Sequence, residues 1–267
     1  MNGMKIKKCR SCSSPNLNFL YSLGRQNLTG VFPKSKHENV PKGSLGMIMC
    51  NNCKLLQLEN SFNASMMYGD NYGYLSSLNP HMVRHLNLKS EKLKNISRLK
   101  NGEIVIDIGS NDGTFLSNFK RTNKLIGIDP TIKKLKKFYR KDIITISNFF
   151  NKRLVHNFLG NKKAKIITSI SMFYDLESPI TFAQDVYECL GNDGIWHLEQ
   201  SYMPSMIKNV SYDTICHEHL EYYSTKTINY ILSKYKLKIL KHSYNDINGG
   251  SSQYYIVHKE SFKNLNT

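Results

Sequence analysis

Residues 212–224 read YDTICHEHLEYYS, a stretch crowded with groups that can carry or accept a proton. Its thirteen residues include two histidines, three acids, a cysteine and three tyrosines. A histidine beside a carboxylate can be held in one tautomer and tuned near neutral pH, as a general base requires. His219 has Glu218 and a second imidazole, His217, as close sequence neighbours, so the segment predicts acid–base chemistry.

Two other interpretations of this segment remain open. Its histidines could be satisfied side chains of a surface loop, or the H-x-H pair could hold a metal ion. An extended backbone at residues 216–220 would place His217 and His219 on one side and Glu218 on the other. A helix would instead separate the two imidazoles.

Four of the six cysteines form two C-x2-C pairs near the start of the chain. A two-residue spacer lets both sulfurs of a pair point at one ion, and two pairs complete a tetrahedral zinc site. Disulfides or a redox dithiol are the alternatives, but a cytoplasmic location and the lack of a thioredoxin-like context disfavour them. We therefore predict structural Zn²⁺ bound by Cys9, Cys12, Cys50 and Cys53.

A second chemical motif begins at residue 102, where GEIVIDIGSNDGTFLSNF predicts a buried strand at 104–108, a glycine-rich turn and a helix from about Thr114. The turn has the form D-x-G-x-x-x-G and lacks the G-x-G-x-x-G of dinucleotide folds. Asp129 ends the next strand, where a carboxylate can accept both hydroxyls of a ribose. These features resemble motifs I and II of Rossmann-type methyltransferases that use S-adenosylmethionine. The resemblance assigns the cofactor to Asp107, Gly109, Asn111, Asp112, Gly113, Asp129, Ser169 and Ser171.

The elements that would position these motifs alternate between strand and helix after residue 101, which predicts a doubly wound α/β sheet. Two strand-like segments near the end, KLKILKHSY and SSQYYIVHK, fit the antiparallel pair that completes a seven-stranded methyltransferase sheet. Their link, NDINGG, suits a turn with positive φ. The Lys-rich run at 133–141 predicts a solvated helix with Leu135 and Phe138 turned inward.

Three regions are expected from these patterns. Residues 1–65 would form a small Cys₄ zinc-binding domain that cannot build a strong core of its own. Residues 66–100 would form a helical connector that contributes to the active site. Residues 101–267 would form the Rossmann-like domain.

The net charge of +17 raises the question of nucleic acid, but it comes from 30 Lys and only 7 Arg. Arginine is the side chain that forks onto phosphates and stacks on bases, so this balance favours a solvated surface over a nucleic-acid interface. An acidic small molecule would also suit the positive field. No secretory signal or membrane span is evident, and we expect a soluble, cytoplasmic monomer.

The whole pattern resembles the nucleotide-sugar C-methyltransferases, which methylate a ring carbon beside the keto group of a deoxysugar. The matching motifs follow one order: the two C-x2-C pairs, YGYLSS with His81 and His85, DIGSNDG, YDTICHEHLEYYS and NGGSSQYYIVHK. The resemblance implies that His219 removes the proton, with Glu218 beside it. Donors for the resulting enolate would be Tyr222, Tyr223 or His217.

The same resemblance implies that the substrate contacts Tyr72 and Tyr74, and we add Tyr174 and Glu199 at the strand ends. Many relatives have Tyr where this chain has Cys216, and His where it has Tyr174. Members of the family continue into a further α/β lobe that is expected to be missing after Lys259. Substrate binding is then expected to be weak or to depend on a partner.

Two other functions compete with sugar methylation. One is an RNA methyltransferase that uses its zinc module for docking. The other is a non-catalytic remnant that binds S-adenosylmethionine as a partner of another protein.

Overall fold

The computed structural model describes residues 3–69 and 72–260. Its N-terminal strands are β1 (Met4–Lys5), β2 (Leu17–Asn27), β3 (Lys42–Cys50), β4 (Leu56–Leu58) and β5 (Asn60–Ser61). A short helix, α1 (Ala64–Met67), and a long one, α2 (Pro80–Ser97), follow. Within the described residues, no helix combines the length and the apolar character needed to cross a bilayer.

The rest of the chain alternates as its sequence predicts. Its strands are β6 (Ile104–Ile108), β7 (Lys124–Ile128), β8 (Ile144–Ile146), β9 (Ala164–Ile170), β10 (Leu190–Ser201), β11 (Glu221–Tyr222), β12 (Leu237–Asn245) and β13 (Ser251–His258). Its helices are α3 (Ile132–Leu135), α4 (Lys152–Leu159), α5 (Pro179–Cys189), α6 (Met203–Lys208) and α7 (Thr225–Ser233).

Seven of these strands form the central sheet of the described residues, in the order β12-β13-β10-β9-β6-β7-β8. The strands β6 to β10 pair in parallel, and β12 and β13 add the antiparallel edge. Strand β6 is buried along its whole length because elements cover both faces of the sheet. The α/β fold with a seven-stranded methyltransferase-type sheet is therefore confirmed.

A smaller sheet carries the N-terminal segment, with the order β11-β4-β3-β2. Its edge strand β11 comes from the far end of the sequence and pairs antiparallel with β4, aligning Tyr222 with Leu56. The strand that directly follows the H-E-H segment is thus built into the N-terminal sheet. This places the H-E-H segment at the boundary between the two sheets.

The NDINGG link behaves as predicted. Asn248, Gly249 and Gly250 all adopt positive φ, at 52°, 75° and 118°. This region favours glycine and asparagine, which explains the composition of the turn.

The predicted helix from about Thr114 is wrong. Only a short 3₁₀ turn forms there, at residues 116–118. The side-chain amide of Asn118 donates to the carbonyls of Thr114 and Phe115, at 3.0 and 3.1 Å. These are carbonyls that a continuing helix would bond through its backbone, and competition of this kind is what makes Asn a poor residue inside a helix.

The Lys-rich run is also less helical than predicted. After four α-helical residues it tightens into a 3₁₀ turn at 136–138, which changes the positions that face inward. Leu135 is buried as expected, whereas Phe138 is 44% exposed and Tyr139 takes the inward position. The Tyr139 hydroxyl lies 2.7 Å from Ser110 Oγ and donates to the Asn111 carbonyl at 2.8 Å.

A cluster of aromatic rings supports the carboxyl ends of β9 and β10. The Phe173 ring lies 5.5 Å from Phe182, 5.8 Å from Trp196 and 5.2 Å from Tyr223. All four side chains are buried. Because Phe173 lies three residues beyond the end of β9, this packing fixes the loop that carries residues 171–176.

We predict that Phe173→Ala lowers the free energy of unfolding by about 3–5 kcal/mol, because it leaves a cavity that the rigid cluster cannot fill. Phe158→Ala is the control, since Phe158 is 49% exposed on α4, and it should cost less than about 1 kcal/mol. Urea denaturation followed by circular dichroism measures both. Equal losses for the two variants would contradict this account of the core.

Candidate active site

An open cleft lies at the carboxyl ends of β6, β7 and β9, the usual place for a ligand on a sheet of this kind. It encloses about 1080 Å³ of empty space, part of it open to solvent. One wall comes from the strand ends, and the facing wall is formed by Ala64, Tyr68, Tyr72, Tyr74 and Ser76. The lining includes Tyr68, Tyr72, Tyr74, Asp107, Gly109, Asn111, Asp129, Ser171, Met172 and Asp175.

The glycine-rich turn brings its backbone close to the cleft. Gly109 has a φ of 72°, and a Cβ placed there would lie 2.8 Å from Met172 Cγ, so a side chain does not fit. The backbone N–H of Asn111 donates to Asp129 Oδ2 at 3.0 Å. The turn and the acid of the next strand are therefore joined, as the sequence spacing suggested.

Asp107 is buried at the base of the turn, where its Oδ1 accepts a hydrogen bond from the Thr168 hydroxyl at 2.6 Å. Burial raises the pKa of Asp107 to about 7, although this hydrogen bond opposes the shift.

Three residues predicted to bind the cofactor lie outside the cleft lining. Ser169 accepts a hydrogen bond from the Trp196 indole at 2.8 Å, and Gly113 packs against the Tyr139 ring. Asp112 Oδ2 accepts the backbone N–H of Ser77 at 2.8 Å. These positions hold the turn and its neighbours together from behind the cleft wall.

Asn111 lines the cleft, but its side chain also forms hydrogen bonds to the facing wall. Its Oδ1 accepts the backbone N–H of Ser76 at 3.0 Å, and its amide donates to the Tyr74 carbonyl at 3.1 Å. The predicted substrate residues Tyr72 and Tyr74 both line the cleft. The glycine turn therefore holds the facing wall that carries them.

The H-E-H segment is neither extended nor helical. The His219 backbone N–H donates to the Cys216 carbonyl at 3.2 Å, which closes a tight turn. A turn at this point sends the two imidazoles in different directions. We call residues 216–219 the histidine turn.

His217 lies against the N-terminal sheet. Its Nε2 is 3.2 Å from the Gly43 carbonyl oxygen, which can only accept, so Nε2 carries the hydrogen. Nδ1 then accepts from the Thr29 backbone N–H at 3.4 Å, and the ring packs edge-on to Phe62 at 4.8 Å. The predicted role of His217 in catalysis stays a prediction, but both of its ring nitrogens are engaged away from the cleft lining.

His219 turns the other way, onto the loop after β9. Its ring centroid lies 4.1 Å from that of Tyr174, two residues beyond Met172 of the cleft wall. Nδ1 is 2.9 Å from the Thr214 carbonyl oxygen, so Nδ1 carries the hydrogen and Nε2 keeps its lone pair. Burial lowers the pKa of His219 below its ordinary value of 6.5, although Thr214 and Glu218 act in the opposite direction.

Glu218 lies between the two sheets. Its Oε2 accepts a hydrogen bond from the Thr29 hydroxyl, and a Cβ placed on Gly30 would lie 3.1 Å from Oε1. Its negative charge also acts on Tyr68 and Tyr72 of the cleft wall. Glu218 is thus close enough to the cleft to affect the electrostatic potential at its wall.

The tyrosines after the histidine turn do not line the cleft. Tyr222 packs in the N-terminal core with Leu45 and Met47, and Tyr223 belongs to the aromatic cluster around Phe173. Both hydroxyls are buried and without a hydrogen-bond partner among the described residues. Tyr174 is also buried, and its ring packs against the ring of His219.

Glu199, predicted to contact the substrate, is buried in a polar network beside the cleft. It bonds Lys89 at 2.7 Å and His85 at 2.6 Å, both on α2, and accepts from Asn245 at 3.0 Å. Despite its burial, hydrogen bonds from His197 and His85 and the charge of Lys89 hold the pKa of Glu199 well below its usual range. Glu199 therefore orients His85, which sequence analysis noted without a role.

The polar residues of the cleft wall that sequence reasoning missed include Tyr68 and Asp175. Tyr68 follows the short helix α1 and has no recognisable spacing to any motif. Asp175 stands five residues beyond the end of β9, and its place after a parallel strand is the signal that could have found it.

The four predicted zinc ligands come together as expected. Their Sγ atoms all lie within 4.8 Å of one another, and two pairs, Cys9–Cys53 and Cys12–Cys50, are 3.6 and 3.5 Å apart. Four sulfurs at about 2.3 Å from one zinc ion would be about 3.8 Å apart, so the cluster fits a tetrahedral site. The Gln57 amide donates to Cys9 Sγ at 3.3 Å, an outer interaction typical of metal thiolates.

Two family models match the chain. Residues 9–68 match the family described as "Putative zinc binding domain", and residues 82–242 match the family described as "Methyltransferase domain". The C-methyltransferase NovU of Streptomyces niveus is 22% identical over 250 residues. That match covers 92% of this chain but only 59% of the length of NovU.

Solved structures agree on the fold. The plantazolicin methyltransferase BamL, in complex with a triazolic desmethylPZN analog and SAH, has a TM-score of 0.51 at 13% identity, over 67% of this chain and 85% of its own. The plantazolicin methyltransferase BpumL in complex with SAH has a TM-score of 0.50 at 13% identity, over 66% of this chain and 83% of its own. At these identities the likeness concerns the fold alone.

The protein is predicted to carry one zinc ion per chain, removable by a chelator. Cys50→Ser should abolish stoichiometric zinc, because three thiolates and a hydroxyl cannot replace a Cys₄ set. Cys189→Ser is the control, since that buried thiol lies on α5, outside the cluster. Metal analysis of the purified proteins measures the content. Full zinc in Cys50→Ser would contradict the assignment.

Proposed function

We propose that this chain, which belongs to the methyltransferase-domain family, transfers a methyl group from S-adenosylmethionine to a carbon beside the keto group of a nucleotide-linked deoxysugar. His219 would remove the proton from that carbon. The observation that carries the proposal is the state of the His219 ring. Its Nδ1–H is bonded to the Thr214 carbonyl, which leaves the lone pair on Nε2.

The cleft suits the methyl donor. Gly109 leaves the space that a Cβ would fill, which lets a ligand approach the backbone of the turn. Asp129 and Ser171 line the same cleft at the ends of the neighbouring strands. We assign donor binding to Gly109, Asn111, Asp129 and Ser171, and S-adenosylmethionine held there would supply an electrophilic methyl group.

His219 is arranged as a general base for the carbon. The proton passes to Nε2, and the electrons of the broken C–H bond form a C=C bond while the carbonyl π electrons move to oxygen. The Thr214 carbonyl stabilises the imidazolium that results, since Nδ1–H already points at it. Glu218, next in sequence, would add negative charge that favours the protonated ring.

Support for a C-methylation comes from the similarity to NovU along most of this chain. Since the chain spans 59% of that relative's length, the substrate and the complete activity belong to the proposal. The proposed organisation keeps residues 1–65 as the zinc module, 66–100 as the connector and 101–267 as the methyltransferase domain. Within it, β11 joins the zinc module's sheet.

His219→Asn tests the base directly. Asparagine can keep the hydrogen bond to Thr214 through its amide while removing Nε2. We expect exchange of the α-hydrogen of a nucleoside-diphosphate-linked ketodeoxysugar in D₂O, measured by NMR with S-adenosylhomocysteine present, to fall by about 10²- to 10⁴-fold. Binding of S-adenosylmethionine, measured by calorimetry, should be unchanged.

His242→Asn, at an exposed position on β12, is the matched control and should exchange normally. Loss in His85→Asn with normal exchange in His219→Asn would move the base to the imidazole that Glu199 orients. A wild-type protein that binds S-adenosylmethionine but exchanges no sugar in the panel would reject sugar methylation. Tight, salt-dependent binding of structured RNA would then favour the RNA methyltransferase.

The exchange rate should depend on pH through His219. The base acts when neutral, so activity should be full above its pKa and fall as the pH drops through it. Because burial lowers that pKa, the acidic midpoint should lie below 6.5. A pH series of initial exchange rates measures it, and a midpoint above 6.5 would contradict a neutral, partly buried imidazole.

A further inference from the structure

Asp175 is a polar residue of the cleft wall that has no role in the proton transfer to His219. It ends the short 3₁₀ turn after β9, where its backbone N–H donates to the Met172 carbonyl at 3.1 Å. The residue lines the cleft, and its Oδ1 is buried without a hydrogen-bond partner among the described residues. A buried, unpartnered carboxyl oxygen costs folding free energy, so its persistence calls for a function.

Asp175 faces one hydroxyl donor and several groups that become negative when they ionise. The buried Tyr68 hydroxyl faces it from the residue after α1, near enough to oppose the rise in the pKa of Asp175, but the two groups do not reach the distance and angle of a formed hydrogen bond. Glu218 faces it from the histidine turn. The other titratable groups that feel its charge are Tyr72, Tyr174, Cys216, Glu221 and Tyr222.

None of these neighbours is a cation, and Glu218 and Glu221 are carboxyl groups that interact with the charge of Asp175. Burial, opposed by the Tyr68 hydroxyl and reinforced by the charge of Glu218, holds the pKa of Asp175 well above its ordinary value of 3.8. Two nearby carboxyls resist ionising together, which raises the pKa of one of them.

The proposed reaction needs a hydrogen-bond donor at this place. Proton removal by His219 leaves negative charge on the substrate's carbonyl oxygen, and donors aimed at that oxygen lower the barrier. The donors suggested by the sequence, Tyr222, Tyr223 and His217, all lie outside the cleft lining. His219, itself outside the lining, packs on Tyr174, and the next residue, Asp175, lines the cleft, which makes it the candidate donor.

We propose that Asp175 is held as a neutral carboxylic acid and donates a hydrogen bond to the substrate's carbonyl oxygen as that oxygen becomes negative. This inference rests on the proposed function, because it assigns the oxyanion donor of the same reaction. Asp175 keeps its proton throughout, and the proton taken from carbon goes to His219 Nε2. A neutral carboxylic acid in an apolar site is an established way of stabilising an enolate.

Two substitutions separate donation from charge. Asp175→Asn keeps a neutral donor of nearly the same shape, so α-hydrogen exchange with the ketodeoxysugar and S-adenosylhomocysteine should stay within about tenfold of wild type. Asp175→Ala removes the donor and should lower exchange by about 10²- to 10³-fold. Asp193→Asn, a mostly exposed acid remote from the cleft lining, is the matched control and should not change the rate.

The pH profile distinguishes a donor from a residue that only supports the fold. The wild type should lose exchange as the pH rises through the pKa of Asp175, since the acid is then ionised. Asp175→Asn should lack this alkaline fall but keep the acidic fall due to His219. An alkaline fall that persists unchanged in Asp175→Asn would overturn the inference.

Infrared spectroscopy tests the protonation state without turnover. The difference spectrum between wild type and Asp175→Asn at pH 7 should contain the carbonyl band of a protonated carboxylic acid. A carboxylate band in its place would overturn the inference. Wild-type exchange with a normal rate in Asp175→Ala would overturn it while leaving the proposed function intact, whereas no wild-type exchange would reject the proposed function itself.

Discussion

The docking of the histidine turn onto the N-terminal sheet is the interaction on which the site depends. His217 bonds Gly43 and Thr29 through its two ring nitrogens, and its own backbone N–H donates to the Thr29 hydroxyl at 2.9 Å. Strand β11, which follows at once, is paired to β4. With the turn fixed on one side, the His219 ring packs on Tyr174 in the loop after β9.

This arrangement links the cysteine cluster to the proposed chemistry indirectly, through the pairing of strands. The cluster joins the segment before β2 to the turn between β3 and β4, and β4 is the strand that pairs with β11. Arg10, directly after Cys9, is buried and donates to the Leu58 carbonyl and to Ser61, at 2.7 and 2.9 Å. The metal site therefore braces the sheet that holds the histidine turn.

The cleft also depends on both parts of the chain. The strand ends and the glycine turn supply one wall, and Tyr68, Tyr72 and Tyr74 supply the other. Asn111 and Asp112 join the walls through the backbone of Ser76 and Ser77. A ligand in the cleft would touch both walls, which explains why the motifs of the candidate site lie far apart in the sequence.

Local patterns predicted much of this architecture. The strand 104–108, the cysteine set and the positive φ of NDINGG all follow from residue type and spacing. The predictions about Thr114 and Phe138 were wrong because side-chain hydrogen bonds and a 3₁₀ turn override helical periodicity.

Side-chain direction at the site was beyond local patterns. The directions of His217 and His219 depend on a turn fixed by Thr29, which lies 188 residues from His217 in sequence. Asp175 was missed for the same reason, because its environment comes from Tyr68 and Glu218 on other elements. Long-range contacts of this kind are absent from any short motif.

The most direct test of the central claim is the tautomer of His219 at pH 7. Histidine-detected ¹⁵N NMR, assigned by comparison with His219→Asn, distinguishes the two ring nitrogens. The account predicts a neutral ring with hydrogen on Nδ1 and a free lone pair on Nε2. A ring protonated on both nitrogens, or one with its hydrogen on Nε2, would contradict it.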